Sequence, residues 1–134
     1  MKADARTKAA VLALLQEFAD GYTRCDAQRV MALYAADPDV VVIADGLKYV
    51  GQEQIRTMVE SDLSSFDFIK WIFTMPSVSA AGPVAWATTD ALATGQTGGQ
   101  SVSLGAYRFT WVLEQRGEQW LIMHVHISDV ASET

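Results

Sequence analysis

The sequence holds one cysteine, Cys25, so no disulfide can close within the chain. It holds three prolines and two histidines, His124 and His126. No apolar run approaches the roughly 20 residues that a membrane-spanning helix needs; the longest lie between Asp39 and Ala44 and around Trp120. Lys2, Asp4, Arg6 and Lys8 precede any apolar run, unlike a secretory leader. Basic residues number ten against sixteen acidic ones, for a net charge of -6, and they form no stripe. Binding to phosphate backbones runs on neutralisation by Lys and Arg, so neither nucleic acid nor an anionic membrane is an expected partner. Gly-x-Gly-x-x-Gly, P-loop, Gly-x-Ser-x-Gly and Cys-x-x-Cys patterns are all absent, so nucleotide-binding and serine-hydrolase chemistry have no sequence support.

What is there reads as one globular domain. The chain has 134 residues, 50% hydrophobic and 19% charged, enough for a single core. A cytoplasmic location is the expectation.

The first half carries helical spacing. Val11, Leu14, Leu15, Phe18 and Tyr22 repeat at i, i+3, i+4 from about Asp4 to Arg24. Asp26 stands as the N-cap of a second, short helix with Val30, Leu33 and Tyr34 on its apolar stripe, and Asp37-Pro38 ends it. Val40 to Ala44 is a β-branched strand followed by the turn dipeptide Asp45-Gly46. A third helix buries Ile55, Met58, Val59 and Leu63, with Glu53, Arg56, Glu60 and Asp62 on its solvent side.

The second half is read as strands: Phe68–Thr74 with a bulge or edge at Pro76, Val84–Thr94, Val102–Gln115 and Trp120–Ser128. Gly95 to Gly99 is read as a loop and Arg116-Gly117-Glu118 as a hairpin turn. Helices first and antiparallel strands after them make an α+β domain with helices on one face of a sheet. In the last strand, Leu121, Met123, Val125 and Ile127 form one face; Trp120, Ile122, His124, His126 and Ser128 form the other. Neither looks solvated, so one face is expected to meet the helices and the other a second subunit.

Three segments carry a family resemblance. They are Phe18-Ala19-Asp20-Gly21-Tyr22 with Asp26 and Leu33-Tyr34-Ala35; Gly51 with Ile55; and Arg108 to Val112 with Gly117 and Trp120 to Ser128. Across nearly the whole chain the sequence resembles the nuclear transport factor two-like superfamily, and within it the SnoaL-like proteins. The last segment is similar to the association domain of the calcium/calmodulin-dependent kinases. The resemblance implies a cone of three N-terminal helices on a strongly curved antiparallel sheet of about four to six strands, usually dimeric. It implies a small-molecule site but no single activity, because isomerases, dehydratases, cyclases and non-catalytic modules share this fold.

Asp45 is similar in position to the general base of ketosteroid isomerase; alternatively it only makes its turn. Tyr22 stands where scytalone dehydratase-like members place a catalytic tyrosine, with Thr23 where they have an aspartate; alternatively it is a core residue. Tyr34 and Tyr49 are weaker versions of the same idea. The resemblance points Trp86, Thr88 and Asp90, then Tyr107, Phe109 and Trp111, then Met123 and Val125 into the concavity, with Trp71 as a further wall. Asp90 is either a catalytic or binding acid or the partner of Arg108. His124 and His126 are read as a hydrogen-bond network at a dimer interface, or as an acid/base pair. They lack a third ligand at metal-binding spacing, so no metal is expected. Cys25 reads as a buried, inert thiol.

Two functions stay open. One is a cofactor-independent isomerase, cyclase or dehydratase acting on an apolar or aromatic carbonyl compound, with Asp45 or Asp90 as base and Tyr22 or Tyr107 as hydrogen-bond donor. The other is a non-catalytic ligand-binding or homodimerisation module.

Overall fold

A computed structural model describes residues 1–130. Helix α1 (Ala5–Thr23) starts where the Asp4 carboxylate accepts the Thr7 N–H at 2.7 Å. Its Val11, Leu14, Leu15, Phe18 and Tyr22 stripe is buried as the spacing predicts. Helix α2 (Ala27–Met31) is capped by Asp26, which accepts the Arg29 N–H at 3.0 Å. The two helices touch because position 21 has no side chain. A Cβ on Gly21 would lie 2.6 Å from Val30 Cγ2. Arg29 then forks onto Glu17 across the same junction, with Nη2 to Oε2 at 2.9 Å.

Strands β1 (Val41–Ala44) and β2 (Leu47–Val50) form a hairpin on the two-residue turn Asp45-Gly46. Their φ values of 54° and 75° are both positive, as a type I′ turn requires. Helix α3 (Gly51–Ser65) follows at once, and Gly51 takes the positive φ of 84° at this corner.

The long strands are β3 (Phe68–Ala81), β4 (Val84–Thr97), β5 (Gln100–Arg116) and β6 (Gln119–Asp129). Sheet order is β2-β1-β6-β5-β4-β3. All neighbours are antiparallel except β1 and β6, which run parallel with Val42 opposite Val125. The region read as a loop at Gly95–Gly99 is mostly strand: β4 runs to Thr97, and Gly98-Gly99 alone turn the chain.

Register shifts interrupt the ladder at Met75-Pro76 on β3, opposite Ala93/Thr94 on β5, and opposite Val112/Leu113 on β6. An extra residue bends and twists its strand, so shifts on three successive strand pairs curl the sheet around the helices. Inside the curl sit Phe18, Phe73, Phe109 and Trp111. Phe109 and Trp111 stack at 5.0 Å, and Phe18 meets Trp111 edge-on at 5.2 Å. The Trp111 Nε1–H donates to the Thr89 hydroxyl at 3.2 Å, so that indole is satisfied where no water reaches.

Alternation along β4 corrects one expectation. Ala85, Ala87, Thr89, Ala91, Ala93 and Gly95 are its buried residues, while Trp86, Thr88 and Asp90 point to the convex side. The resemblance points those three inward, but small residues line the inside because α1 and the rings of β3 and β5 occupy that space. Trp86 is 36% exposed, and Asp90 pairs with Arg108 at 3.1 Å on that outer surface. Cys25 is also corrected, from buried to exposed. It lies between α1 and α2 with φ of 53°, and its thiol donates to the Asp67 carbonyl at 2.8 Å.

Candidate functional site

A cavity of about 200 Å³ opens between the helices and the concave sheet. Each wall comes from a different element. Helix α1 supplies Phe18 and Tyr22, the turn after α2 supplies Tyr34, and α3 supplies Met58 and Asp62. The β1–β2 turn supplies Asp45 at the rim, β3 supplies Ile69 and Trp71, and β5 supplies Leu104 and Tyr107. A larger groove of about 360 Å³ runs along the sheet edge between α1 and β3, with exposed Lys70 as its one charged wall.

The polar centre of the cavity is a carboxyl–phenol pair. The Tyr22 hydroxyl donates to Asp62 Oδ2 at 3.3 Å. Burial pushes the Asp62 carboxyl up to about 6; the Tyr22 hydrogen bond opposes that rise and the Asp45 charge adds to it. Burial likewise holds the Tyr22 phenol well above its ordinary value, and the neighbouring Asp62 charge raises it further. Tyr22 therefore keeps its proton throughout the neutral range. Tyr34 is 4% exposed, and its phenol is raised by burial and then by Asp62. Among the described residues its hydroxyl has no protein partner, so it is a free donor on the cavity wall.

The other expected site residues divide. Tyr22, Trp71, Tyr107 and Asp45 line the cavity. The Tyr107 hydroxyl is already engaged, donating to the Leu104 carbonyl at 2.7 Å. Its phenol is raised by burial and then by the charges of Asp129 and Asp45. Phe109, Trp111 and Val125 face inward but belong to the packed core beneath the cavity. Trp86, Thr88 and Asp90 are on the other side of the sheet, as described above.

Met123 is a further correction. The β5–β6 pairing passes from Val112↔His124 to Leu113↔Ile122, so Met123 is the extra residue. It therefore leaves the Val125 face and sits against the Arg116 guanidinium, Sδ to Nη2 at 3.7 Å. His124 and His126 alternate with inward-facing Val125 and lie on the convex side. Burial pushes His124 down, followed by the charges of His126 and Lys48. Tyr49 pairs with Val42 in the β1–β2 hairpin and takes no part in the cavity.

Asp62 is the residue that sequence reasoning placed wrongly, on the solvent side of α3. The signal was present: Ile55, Met58 or Val59, and position 62 follow the same helical stripe.

Comparison with known proteins agrees with this fold. No curated protein matches the chain. Among solved structures, a nuclear transport factor two-like superfamily protein from Salmonella enterica superposes with TM-score 0.87 at 20% identity, covering 98% of this chain and 96% of its own. A proposed dehydratase of the same family from Streptomyces avermitilis superposes with TM-score 0.87 at 16% identity, covering 96% of this chain and 100% of its own. A protein of unknown function with a cystatin-like fold from Nostoc punctiforme reaches TM-score 0.83 at 14% identity, covering 99% and 97%. At such identities these likenesses establish the fold and leave activity to the site. The family model of the SnoaL-like domain matches residues 11–133, nearly the whole chain. The protein belongs to the SnoaL-like family, on a nuclear transport factor two-like cone.

Proposed function

We propose that this protein is a cofactor-independent acid/base enzyme that moves a proton on an apolar or aromatic carbonyl compound held in the cavity. The Tyr22–Asp62 pair inside an aromatic-walled pocket carries this reading. A carboxyl that titrates near 6 is mostly ionised at pH 7 yet still holds a proton well, which suits a general base that must later act as an acid. In the proposed step, Asp62 takes a proton from the carbon beside the carbonyl. The C–H electron pair moves toward the carbonyl oxygen, which accepts a hydrogen bond from Tyr34. Return of the proton to another carbon gives an isomer; its delivery to a departing hydroxyl gives a dehydrated product. Tyr22 holds the carboxyl in place and keeps its own proton.

The test is proton exchange in D₂O. Small aromatic and aliphatic ketones are incubated with the protein, and NMR follows deuterium entry beside the carbonyl. Exchange above the buffer rate, lost in Asp62→Asn, is expected. Background rates with every ketone, or an Asp62→Asn variant as fast as the parent, would sink the reading.

A second copy of the chain is proposed to cover the convex face of the sheet. Supporting this, Trp86 and Leu92 stand there 36% and 53% exposed.

A further inference from the structure

Among the described residues, the cavity carries charge of one sign only. Among its fifteen lining residues are two carboxylates, Asp62 and Asp45, and no Lys, Arg or His. The rest of the wall is aromatic or aliphatic, with Trp71, Phe18 and Tyr107 presenting rings. A carboxylate-lined aromatic pocket repels anionic ligands and attracts cations by two routes: Coulomb attraction to the acids, and attraction of the charge to ring faces.

One polar group on the wall lacks a protein partner among the described residues: the Tyr34 hydroxyl, on a residue 4% exposed. It is left as a donor on the cavity wall, where the carbonyl oxygen of a ligand can accept from it. The size is bounded too: an apolar cavity of about 150 Å³ holds benzene, and this one is about 200 Å³.

We propose that the ligand of this cavity is a small aromatic or aliphatic compound bearing a protonated amine, with its ammonium group between Asp62 and Asp45 and its apolar part against Trp71 and Phe18. This deepens the functional reading above and rests on the cavity being the ligand site. The amine's N–H groups donate to Asp45 and to Asp62 Oδ2 beside the Tyr22 hydroxyl, which leaves Asp62 Oδ1 to take the carbon-bound proton while a carbonyl elsewhere on the compound accepts from Tyr34. The titratable groups around Asp62 are Tyr22 from α1, Tyr34 after α2, Asp45 from the β1–β2 turn and Tyr107 from β5. The three phenols stay neutral at pH 5–8, so the pH response comes from the Asp62 carboxyl. A bound ammonium favours ionised Asp62, so amine affinity rises with pH through about 6.

Calorimetric titration of the whole protein with four probes tests this: 2-phenylethylamine, 2-phenylethanol, phenylacetate and acetophenone, at pH 5 and pH 7.5. The amine is expected to bind about tenfold or more tightly than the alcohol at pH 7.5, a margin of about 1.4 kcal/mol. Phenylacetate is expected not to bind. The amine's advantage shrinks at pH 5, and Asp62→Asn removes most of it. Asp45→Asn keeps its turn and weakens the amine several-fold, a readout independent of how the first variant folds. An alcohol or ketone that binds as tightly as the amine overturns the amine assignment and leaves the pocket reading standing. So does unchanged amine affinity in both variants. If no probe binds, the cavity is not a ligand site and both readings fall.

Discussion

Asp62 is a carboxylate that the fold holds at a disadvantage, and that disadvantage can be measured. Its ordinary value is 3.8, and burial raises it to about 6 in the folded chain. Between those two values the folded state holds a proton that the unfolded chain has released. The unfolding free energy therefore falls as pH rises through this window and levels off above it. The gap of about 2 units corresponds to about 3 kcal/mol at pH 7, at about 1.36 kcal/mol per unit. Asp62→Asn removes the ionisation and keeps a side-chain oxygen for the Tyr22 hydroxyl. Relative to the parent, the variant should gain little at pH 4 and up to about 3 kcal/mol at pH 7.5. For a chain of this length that gain is worth roughly 10 °C in Tm. The assay is urea unfolding of both proteins at half-unit steps from pH 4 to 8, taking the difference at each step so that other titrating groups cancel. A difference that is flat with pH, or a variant less stable at pH 7.5, would refute the argument that burial dominates at this carboxyl. Stability gained by neutralising a site residue is what a functional, strained position predicts.

The neighbours of Asp62 should move its titration in opposite directions, followed by carboxyl NMR. Tyr22→Phe deletes the hydrogen bond that favours ionisation and raises the midpoint, whereas Asp45→Asn removes a negative charge and lowers it. Shifts of the same sign would contradict the assigned causes. Thr89→Val leaves Trp111 Nε1 without an acceptor in the core and should destabilise the fold by about 1–3 kcal/mol in urea unfolding; no loss would mean the bond contributes nothing. Gly21→Ala drives a Cβ into Val30, which is fully buried, and should lower Tm despite better helix propensity. A raised Tm would show that Val30 yields freely. His126→Ala should weaken self-association on dilution if a second copy seats on the convex face, and sedimentation that is unchanged would remove that seat.

The sequence by itself determined the architecture, because architecture is written in local periodicity. The stripe Val11, Leu14, Leu15, Phe18, Tyr22 specifies α1, Asp26 specifies the start of α2, and Asp45-Gly46 specifies a two-residue hairpin. Tyr22 and Asp45 became site candidates through the family resemblance; periodicity and turn chemistry alone put Tyr22 on a core face and Asp45 in a two-residue turn. What only the tertiary structure decided is which side of each strand faces inward and what meets there. Trp86 and Asp90 went to the convex face because the inside of a tightly curled sheet admits only small residues on β4. Met123 left the Val125 face because one extra residue reverses strand alternation, and alternation alone does not reveal where a bulge falls. Asp62 looked like a solvated helix charge until α3 was laid across the mouth of the cone. Its partner Tyr22 is 40 residues away in the chain, and a hydrogen bond across that separation exists only once the helices and sheet have closed around the cavity.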